Sequence, residues 1–354
     1  MAKKVVMSTN EALAEAALRA GCRFFVGYPI TPATEILEYM AEHMEDYGGV
    51  YLQPESEVAG MNMICGAGAG GTRCMTASSG EGFDLFQEGI SAAAGWEIPC
   101  VVVNMCRSGP GRAGMGPSQA DYFQVCKGGG HGDYHAIVLA PWNAQETVEI
   151  TKRAFNLADK YRMVVIIFGD AILSHVSEPV EFDDTPEPPL PDKDWALTGC
   201  KGRAPRKISG GGRGVDIERA GDVMWGPAQR LNTALQANYA EVTKNETTVD
   251  TWLMDDADLV VTAWGSIARI AASAVEEARE EGIKVGLIRP VTLWPFPSQT
   301  YAEAAKKVRA FLTVEMSAGQ MIEDVRLATG CQSPMYFFGH QGGMSPTIEE
   351  ILDQ

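Results

Sequence analysis

Residues 23–37 have the sequence RFFVGYPITPATEIL, in which an apolar run leads into a turn with two prolines and then into helical spacing. Each proline ring fixes φ and favours an extended conformation at the residue before it, so residues 28–32 are predicted to form a short, stiff turn. The apolar run predicts a buried strand, and the spacing after the turn predicts a helix. Because open α/β sheets bind ligands at the carboxyl ends of their strands, this turn is a candidate binding loop.

Outward from this turn, the chain alternates between strands and helices. Runs that are wholly apolar and β-branched predict parallel strands buried on both faces, and amphipathic segments between them predict crossover helices. Strands are predicted at residues 50–52, 72–77, 99–105, 136–139 and 164–168, and helices at residues 10–20, 57–69, 88–94 and 143–160. The pattern predicts a doubly wound domain over residues 1–176.

The middle of the chain has a different composition. Residues 177–191 hold five prolines and many acids, and residues 201–214 are basic and rich in glycine. Such composition does not build a regular core, so we predict a linker and surface segment over residues 177–250. A helical pattern at residues 227–243 indicates that part of this segment packs back on a domain.

A second α/β unit is predicted over residues 251–354. It has four runs typical of strands, at residues 258–263, 284–288, 311–315 and 335–338. Ser266 is expected to cap a helix that runs to Glu281, and Ser345 to cap a closing helix with Pro346 at its first position. The predicted fold class is therefore α/β with two doubly wound domains.

Composition and charge limit the class of protein. The chain has 354 residues, which favours two domains, and its 45% apolar and 21% charged residues are typical of soluble globular proteins. A formal net charge of −17 argues against nucleic acid or an anionic membrane as a partner. No apolar run approaches the ~18 residues of a membrane span, and the amino end lacks the apolar core of a signal peptide. We expect a cytoplasmic protein.

The eight cysteines are scattered, and the closest two, Cys100 and Cys106, are six positions apart. Zinc ribbons and iron–sulfur clusters need closely spaced thiolates, so we expect this chain alone to build no metal site. Single cysteines in apolar surroundings are typical of buried thiols in a reducing compartment.

Two glycine-rich runs match the G-x-G-x-x-G pattern of dinucleotide-binding proteins. The run at residues 66–71 follows a helical pattern instead of a strand, so close helix packing explains it better. The run at residues 109–114 does follow a strand, although Pro110 removes one backbone amide that could face a phosphate. A non-catalytic nucleotide-binding or scaffold protein built on this second run remains an alternative.

Four blocks of the sequence occur in an order that resembles the α subunits of the 2-oxoacid:ferredoxin oxidoreductases. They are residues 28–32 (YPITP), 55–57 (ESE), 78–83 (SSGEGF) and 104–107 (NMCR). Two later blocks, residues 288–297 (IRPVTLWPFP) and 342–346 (GGMSP), are also similar to that family, so the resemblance covers nearly the whole chain. One departure is Glu81, where the family often has proline.

The resemblance implies a fold and an activity. The fold would be a thiamine diphosphate-binding (pyrimidine-type) domain followed by a transketolase C-terminal-like domain. The activity would be the oxidative decarboxylation of a 2-oxoacid with coenzyme A as co-substrate, which yields an acyl-CoA, CO2 and reduced ferredoxin. Residues 127–134 (KGGGHGDY) look closest to the branch that uses the branched-chain acid 2-oxoisovalerate, and 2-oxoglutarate is the alternative substrate.

The resemblance also implies partners. Thiamine diphosphate would be shared with a β subunit that binds its diphosphate and Mg²⁺, because this chain lacks a complete diphosphate motif. Gly169 and Asp170 superficially match the start of such a motif, but Ala171 replaces its final glycine. The [4Fe–4S] clusters would lie on partner subunits, which would include a γ subunit and a ferredoxin-like δ subunit, and ferredoxin would accept the electrons.

On the cofactor side, the resemblance assigns Glu57 a catalytic role. Its carboxyl would bond to a ring nitrogen of the aminopyrimidine, a task that suits a carboxyl in a dry place. The alternative is an acid favoured at a helix start by the helix dipole. Ser79, Gly80 and Phe83 would also bind the cofactor.

On the substrate side, Arg107 follows a fully apolar strand, where a guanidinium is costly unless it is paired. It would bind the carboxylate of the 2-oxoacid bidentately, and the alternative is a structural ion pair with an acid such as Asp121 or Asp133. Thr31 would bind the substrate with its hydroxyl, and the alternative for it is a helix N-cap.

Tyr28, Arg112 and His131 also lie in predicted loops. Tyr28 would also bind the substrate. Arg112 is a weaker candidate than Arg107 because its glycine-rich loop could face solvent. His131 with Asp133 is compatible with a proton relay, and the alternative is a loop histidine that is solvated or bonded locally.

Overall fold

The computed structural model describes residues 4–112, 114–183, 192–203, 208 and 226–354. This part of the chain has an α/β architecture with a seven-stranded sheet, a five-stranded sheet and a two-stranded ribbon. The predicted fold class is confirmed. None of the helices described is long and apolar enough to cross a membrane.

The strands of the described residues are β1 (Val5–Ser8), β2 (Phe24–Val26), β3 (Val50–Leu52), β4 (Cys74–Ser78), β5 (Cys100–Cys106), β6 (Ile137–Leu139), β7 (Val164–Asp170), β8 (Ser177–Val180), β9 (Val249–Trp252), β10 (Leu259–Thr262), β11 (Val285–Pro290), β12 (Thr292–Trp294), β13 (Ala310–Glu315) and β14 (Met335–Gly339). The helices are α1 (Thr9–Arg19), α2 (Thr34–His43), α3 (Glu57–Ala69), α4 (Gly80–Leu85), α5 (Gln87–Gly95), α6 (Tyr122–Cys126), α7 (Ala144–Tyr161), α8 (Ala171–His175), α9 (Gly226–Glu246), α10 (Gly265–Glu280), α11 (Ser298–Ala305), α12 (Met321–Thr329) and α13 (Ile348–Leu352), with a 3₁₀ turn at Glu45–Tyr47.

The seven-stranded sheet has the order β12-β6-β7-β5-β4-β2-β3. Its strands are parallel except β12, which runs antiparallel to β6. The central strands β4, β5 and β7 are buried along their whole length, as expected for continuous apolar runs that helices cover on both faces. The carboxyl ends of β2, β4 and β5 therefore lie at one edge of this sheet.

The five-stranded sheet has the order β14-β13-β10-β11-β9, and only β9 runs antiparallel to its neighbour. Its four parallel strands were predicted from sequence. The alanine-rich helix α10 packs on it and contributes to a core of its own with Leu287 and Val314.

The segment predicted as a linker has regular structure at both ends. Residues Ser177–Val180 form β8, which pairs antiparallel with β1, so the prediction of an irregular linker is wrong for these residues. Pro179 fits there because a two-stranded ribbon has edges on which a missing N–H is tolerated. Helix α9 packs back on the first sheet through Leu235, Tyr239 and Val242, as the helical pattern predicted. Most of the remaining linker, residues 184–191, 204–207 and 209–225, lies outside the described residues.

Two predicted helix caps are wrong. Helix α10 has Trp264 at its N-cap position, and Ser266 lies inside the helix, where its hydroxyl donates to Asp170 Oδ2 over 2.6 Å. Helix α13 is capped by Thr347, which forms a capping box with Glu350. Ser345 therefore lies before the cap.

The two predicted domains are joined through a shared sheet. Strand β12 comes from the second half of the chain, yet Thr292 pairs with Leu139 of β6 in the first sheet. Just before it, the buried guanidinium of Arg289 donates to both carboxylate oxygens of Glu146 on α7, at 2.6 and 2.8 Å. These contacts fix the second unit against the first.

A second set of contacts lies near the carboxyl edge of the first sheet. Gln119 donates to the carbonyl of Trp264 over 2.9 Å and accepts from the amide of Met316 over 3.0 Å. The Tyr122 hydroxyl donates to Asp324 over 2.7 Å, and both groups are buried. The segment that follows β5 is thereby held by loops of the second sheet.

Candidate active site

Three predicted segments meet at the carboxyl edge of the first sheet. The proline turn at residues 27–32 follows β2, the segment at residues 79–82 follows β4, and Arg107 follows β5. Parallel strands that are neighbours in the sheet bring such segments together, and Arg107 contacts both of the others. The structure places nearly all of the sequence-predicted residues in this region.

Glu57 is the first residue of α3 and is only 7% exposed. Ser56 caps the helix by accepting from the amide of Ala59, so the cap does not use the Glu57 side chain. Within the described part of the chain, no hydrogen bond or ion pair satisfies the Glu57 carboxyl. A buried carboxylate without a partner is costly, which favours a ligand over a purely structural role. The position at a helix start is also compatible with the dipole alternative.

The Glu57 carboxyl lies against the backbone of Gly82 in α4. A Cβ at Gly82 would be 2.5 Å from Glu57 Oε1 and would also meet Ser78 Oγ. The lack of a side chain at Gly82 therefore makes room for the carboxyl.

Several buried polar atoms where β4 and β5 end have no hydrogen-bond partner among the described residues. Ser78 Oγ, Ser79 Oγ and Asn104 Oδ1 are such atoms, and Ser78 and Asn104 are direct neighbours across β4 and β5. Unpaired buried polar groups are rare in folded proteins, and a bound polar ligand is one explanation for a cluster of them. Of these atoms, Ser78 Oγ flanks the same Cβ position of Gly82 as the Glu57 carboxyl.

Arg107 lies over Gly80, and its side chain is 15% exposed. Its Nη1 donates to the carbonyl of Thr31 over 2.9 Å, and its Nη2 donates to Glu81 Oε2 over 2.5 Å. Gly80 has φ +50°, and a Cβ there would be 2.7 Å from the Arg107 Nε. Glycine is therefore required at this position both by its backbone conformation and by the arginine.

The ion pair of Arg107 is not with the acids considered from the sequence. Asp121 accepts instead from Asn104 over 2.9 Å, and Asp133 is exposed. Glu81 is the partner, and a backbone hydrogen bond at Glu81 together with the bond from Arg107 holds the pKa of its carboxyl below the usual value. The other oxygen of Glu81 lies 3.8 Å from the Nε of Arg112, whose side chain is 93% exposed.

The proline turn presents Thr31 and Tyr28 at the surface of the site. Helix α2 begins at Thr34 with Ala33 as its N-cap, so the N-cap alternative for Thr31 is wrong. The Thr31 hydroxyl has no hydrogen-bond partner among the described residues. Tyr28 is 40% exposed and, within the same residues, makes no hydrogen bond or ring contact.

The two remaining cofactor candidates are fully buried. Ser79 has the N-cap position of α4, but its hydroxyl bonds to no backbone amide. Phe83 packs edge-on against Phe86, with ring centroids 6.2 Å apart, and belongs to the main core. Because Phe83 has no exposed surface, its burial favours a packing role over contact with a cofactor.

The loop after Arg107 contacts the second unit, which sequence reasoning missed. Arg107 forms a β-bridge with Pro117, and the amide of Ser108 donates to the carbonyl of Gly116 over 2.9 Å. A Cβ at Gly116 would be 2.7 Å from the Cα of Gly343, so the backbones pack directly against each other. The available signal was the glycine pair of residues 342–343, which the family resemblance had already singled out.

The nucleotide-binding alternative lacks its structural context. After the glycine loop at residues 109–114, the next helix among the described residues is α6, which begins at Tyr122. No helix N-terminus therefore directly follows the loop to bind a phosphate.

The Asp170 carboxyl and the Cys106 thiol, which also lie at the ends of strands of the first sheet, have structural roles. Asp170, at the end of β7, is fully buried, and it accepts from the amides of Ile172 and Leu173 and from the hydroxyl of Ser266. Burial raises its pKa. Cys106 is also buried, and burial raises the pKa of its thiol well above the usual value, which argues against a thiolate nucleophile.

Two family models match the chain in succession. One, described as pyruvate flavodoxin/ferredoxin oxidoreductase, thiamine diphosphate-binding, matches residues 15–244, more than half of the chain. The chain belongs to this family. A second model, described as pyruvate:ferredoxin oxidoreductase core domain II, matches residues 257–351. The resemblance found in the sequence is thereby confirmed, together with the thiamine diphosphate-binding character of the first part of the chain.

Relatives of the family match nearly the whole chain. It is 44% identical to ketoisovalerate oxidoreductase subunit VorB of Methanothermobacter thermautotrophicus over 98% of this chain and 95% of that protein. It is 35% identical to 2-oxoglutarate synthase subunit KorA of Methanothermobacter marburgensis over 100% of this chain and 99% of that protein. The chain is thus a subunit of a multi-subunit 2-oxoacid:ferredoxin oxidoreductase.

Solved structures agree with the fold. The chain is similar to 2-oxoglutarate:ferredoxin oxidoreductase from Magnetococcus marinus with 2-oxoglutarate, coenzyme A and succinyl-CoA bound. The TM-score is 0.84 at 25% identity, over 99% of this chain and 64% of that one. A split gene transketolase shares the fold, with a TM-score of 0.59 at 14% identity over 98% of this chain and 92% of that one.

Proposed function

We propose that this subunit binds the aminopyrimidine end of thiamine diphosphate and the carboxylate of a branched-chain 2-oxoacid. The complex would convert the acid with coenzyme A to an acyl-CoA and CO2, and it would pass the electrons to ferredoxin. The observation that carries the proposal is the side chain of Glu57, a residue only 7% exposed, whose carboxyl has no partner among the described residues and lies beside the unpaired hydroxyl of Ser78.

The relatives support a branched-chain side chain on the substrate. Identity is 44% to the ketoisovalerate oxidoreductase subunit and 35% to the 2-oxoglutarate synthase subunit, which supports a branched-chain acid over 2-oxoglutarate. No residue assigned to the site is a cation placed to bind a second carboxylate, apart from the exposed Arg112.

Partner subunits supply what this chain lacks. A β subunit would bind the diphosphate and Mg²⁺, and clusters on γ and ferredoxin-like δ subunits would carry the electrons. Within this chain, residues 1–176 would form the pyrimidine-binding domain, residues 251–354 the transketolase C-terminal-like domain, and residues 177–250 the connection between them.

The residues of this chain divide the chemistry between two sides of α4. When bound, thiamine diphosphate supplies the carbon nucleophile and the electron sink for decarboxylation. The Glu57 carboxyl, in a residue that is only 7% exposed, would hold and exchange a proton at the ring nitrogen of the aminopyrimidine. On the other side, the Nη atoms of Arg107 bind the substrate carboxylate, and the Thr31 hydroxyl and Tyr28 line the approach.

Glu57→Gln in the assembled complex tests the proposal. The amide has nearly the same shape but cannot exchange the proton, so hydrogen–deuterium exchange at the thiazolium C2 is expected to slow by about a hundredfold or more, while thiamine diphosphate remains bound. Glu55→Gln, two residues earlier and exposed, is the matched control and should exchange at the wild-type rate. Wild-type exchange in Glu57→Gln would contradict the assignment.

A panel of 2-oxoacids with a viologen dye as electron acceptor tests the substrate. The proposal expects the highest kcat/KM with 3-methyl-2-oxobutanoate. A higher value with 2-oxoglutarate would establish the alternative substrate.

A further inference from the structure

Two of the five N–H donors of Arg107 already bond to oxygen atoms of its own chain. Nη1 bonds to the Thr31 carbonyl, and Nη2 bonds to one carboxylate oxygen of Glu81. A carboxylate is the group that a 2-oxoacid would present to the same nitrogens. A substrate carboxylate that binds Arg107 through Nη2 therefore draws on the same nitrogen and the same positive charge as Glu81.

We propose that Glu81 competes with the substrate carboxylate for Arg107 and so sets the affinity of the site for 2-oxoacids. The inference rests on the proposed function, in which Arg107 binds that carboxylate. Glu81 would thus determine the affinity for the 2-oxoacid without taking part in the reaction.

The surroundings allow Glu81 to leave. The Glu81 side chain is 27% exposed and that of Arg107 is 15% exposed, so a small anion reaches both from solvent. Glu81 is in the first turn of the six-residue helix α4, and its second oxygen already lies 3.8 Å from Arg112. Rotation of the side chain toward Arg112 exchanges one cation for another and frees Arg107 Nη2.

A positioning role of Glu81 and a competing role predict opposite changes in substrate affinity when its charge is removed. If Glu81 holds Arg107 in position for the substrate, removal of its charge weakens substrate binding. If Glu81 competes, removal of its charge strengthens binding, because the substrate no longer displaces an anion. The lowered pKa of Glu81 means that its charge is present at neutral pH, so the two roles are distinguishable under ordinary assay conditions.

Glu81→Gln in the assembled complex is the test. We expect the KM for 3-methyl-2-oxobutanoate to fall about fivefold with kcat within about twofold of wild type. A fivefold change is equal to about 1 kcal/mol at ~1.4 kcal/mol per tenfold, the upper end for a partly exposed ion pair. The inhibition constant of 3-methylbutanoate, a branched carboxylate with no oxo group to react, should fall by the same factor. It is the deciding measurement because it reports carboxylate binding alone.

Controls separate the inference from the proposed function. Glu88→Gln removes one exposed negative charge on the neighbouring helix α5 and should change neither constant. In an Arg107→Ala background, Glu81→Gln should lose its effect, since the competition runs through the arginine. Glu81→Ala is the second variant and should act in the same direction.

An inhibition constant that stays the same or rises in both Glu81 variants overturns the inference. Unchanged kcat/KM in Arg107→Ala alone overturns the substrate role of the arginine and, with it, this part of the proposed function.

Discussion

Gly82 offers a way to move the Glu57 carboxyl without changing Glu57 itself. In Gly82→Ala, the new Cβ would be 2.5 Å from Glu57 Oε1 and 3.2 Å from its Cδ, and it would meet Ser78 Oγ as well. The Glu57 carboxyl is the far end of a flexible side chain and can yield, whereas the Ser78 hydroxyl, which is closer to the new Cβ, has to rotate in its buried place. The carboxyl is expected to be displaced, and the fold is expected to be retained.

The size of the effect follows from these distances. Ordinary contact of a Cβ begins at 3.4 Å, so the carboxyl has to retreat by about 0.9 Å from its position at 2.5 Å. A misplacement of ~1 Å at a reacting group costs about a hundredfold in rate, equal to about 2.7 kcal/mol at 1.36 kcal/mol per tenfold. Displacement of the buried Ser78 hydroxyl costs about 1–3 kcal/mol of stability, and the preference of a helix for alanine over glycine, about 0.5–1 kcal/mol, offsets part of it.

The assay compares two glycine variants of the assembled complex by kcat and melting temperature. Gly82→Ala should lose about a hundredfold in kcat with only a modest fall in melting temperature. Gly66→Ala, on α3, is the matched control, because Gly66 is exposed and a Cβ there would have no atom within 4 Å. If Gly82→Ala keeps its kcat within about threefold of wild type, the position of the Glu57 carboxyl does not matter for the reaction and the reasoning fails.

Two further predictions concern Arg107 and the junction between the units. Arg107→Ala should lower kcat/KM by at least about a hundredfold, since hydrogen bonds to charged groups contribute about 1.5–3 kcal/mol each. Arg107→Lys should recover part of the loss, because it keeps the charge. The thiamine diphosphate occupancy of both variants should stay near wild type. A merely structural arginine would instead give a lower melting temperature and normal kinetics per folded molecule. Ser266→Ala should lower the free energy of unfolding, measured by urea denaturation of the purified chain, by about 1–3 kcal/mol, because it leaves the buried Asp170 carboxyl without its 2.6 Å bond. Ser273→Ala, which removes an exposed hydroxyl on the same helix, should stay within about 0.5 kcal/mol of wild type, and equal losses would contradict the role of Asp170.

Most of the fold was predictable because its strands are continuous apolar runs. Strand β5 and helix α3 lie almost where the sequence places them, since a run such as Val101–Val103 has no polar face to expose and the residues after Ser56 follow a clear cap. The short strands were harder. Strand β8 contains a proline and β12 lies between Pro290 and Pro295, and prolines in and around a short run argue against a strand.

The site was predictable to the level of its segments, because carboxyl ends of neighbouring parallel strands must meet. The pairing within it was not. Glu81 reaches Arg107 only because Gly80 turns the chain with φ +50°, and a single sequence does not report that angle. Phe83 could not be assigned to the core either, since a helix of six residues is too short to show which face is buried.

Strand β12 has a consequence for any attempt to divide this protein. Its three residues cover the outer edge of β6, whose residues Ile137–Leu139 are wholly shielded from water. A fragment that stops before β12 would present that edge as bare backbone flanked by apolar side chains, which invites strands of other molecules to pair there. Chimeras that exchange the C-terminal half between relatives must therefore match β12 to the β6 of the recipient. A cut at the middle of the chain is expected to yield two aggregation-prone fragments instead of two independent domains.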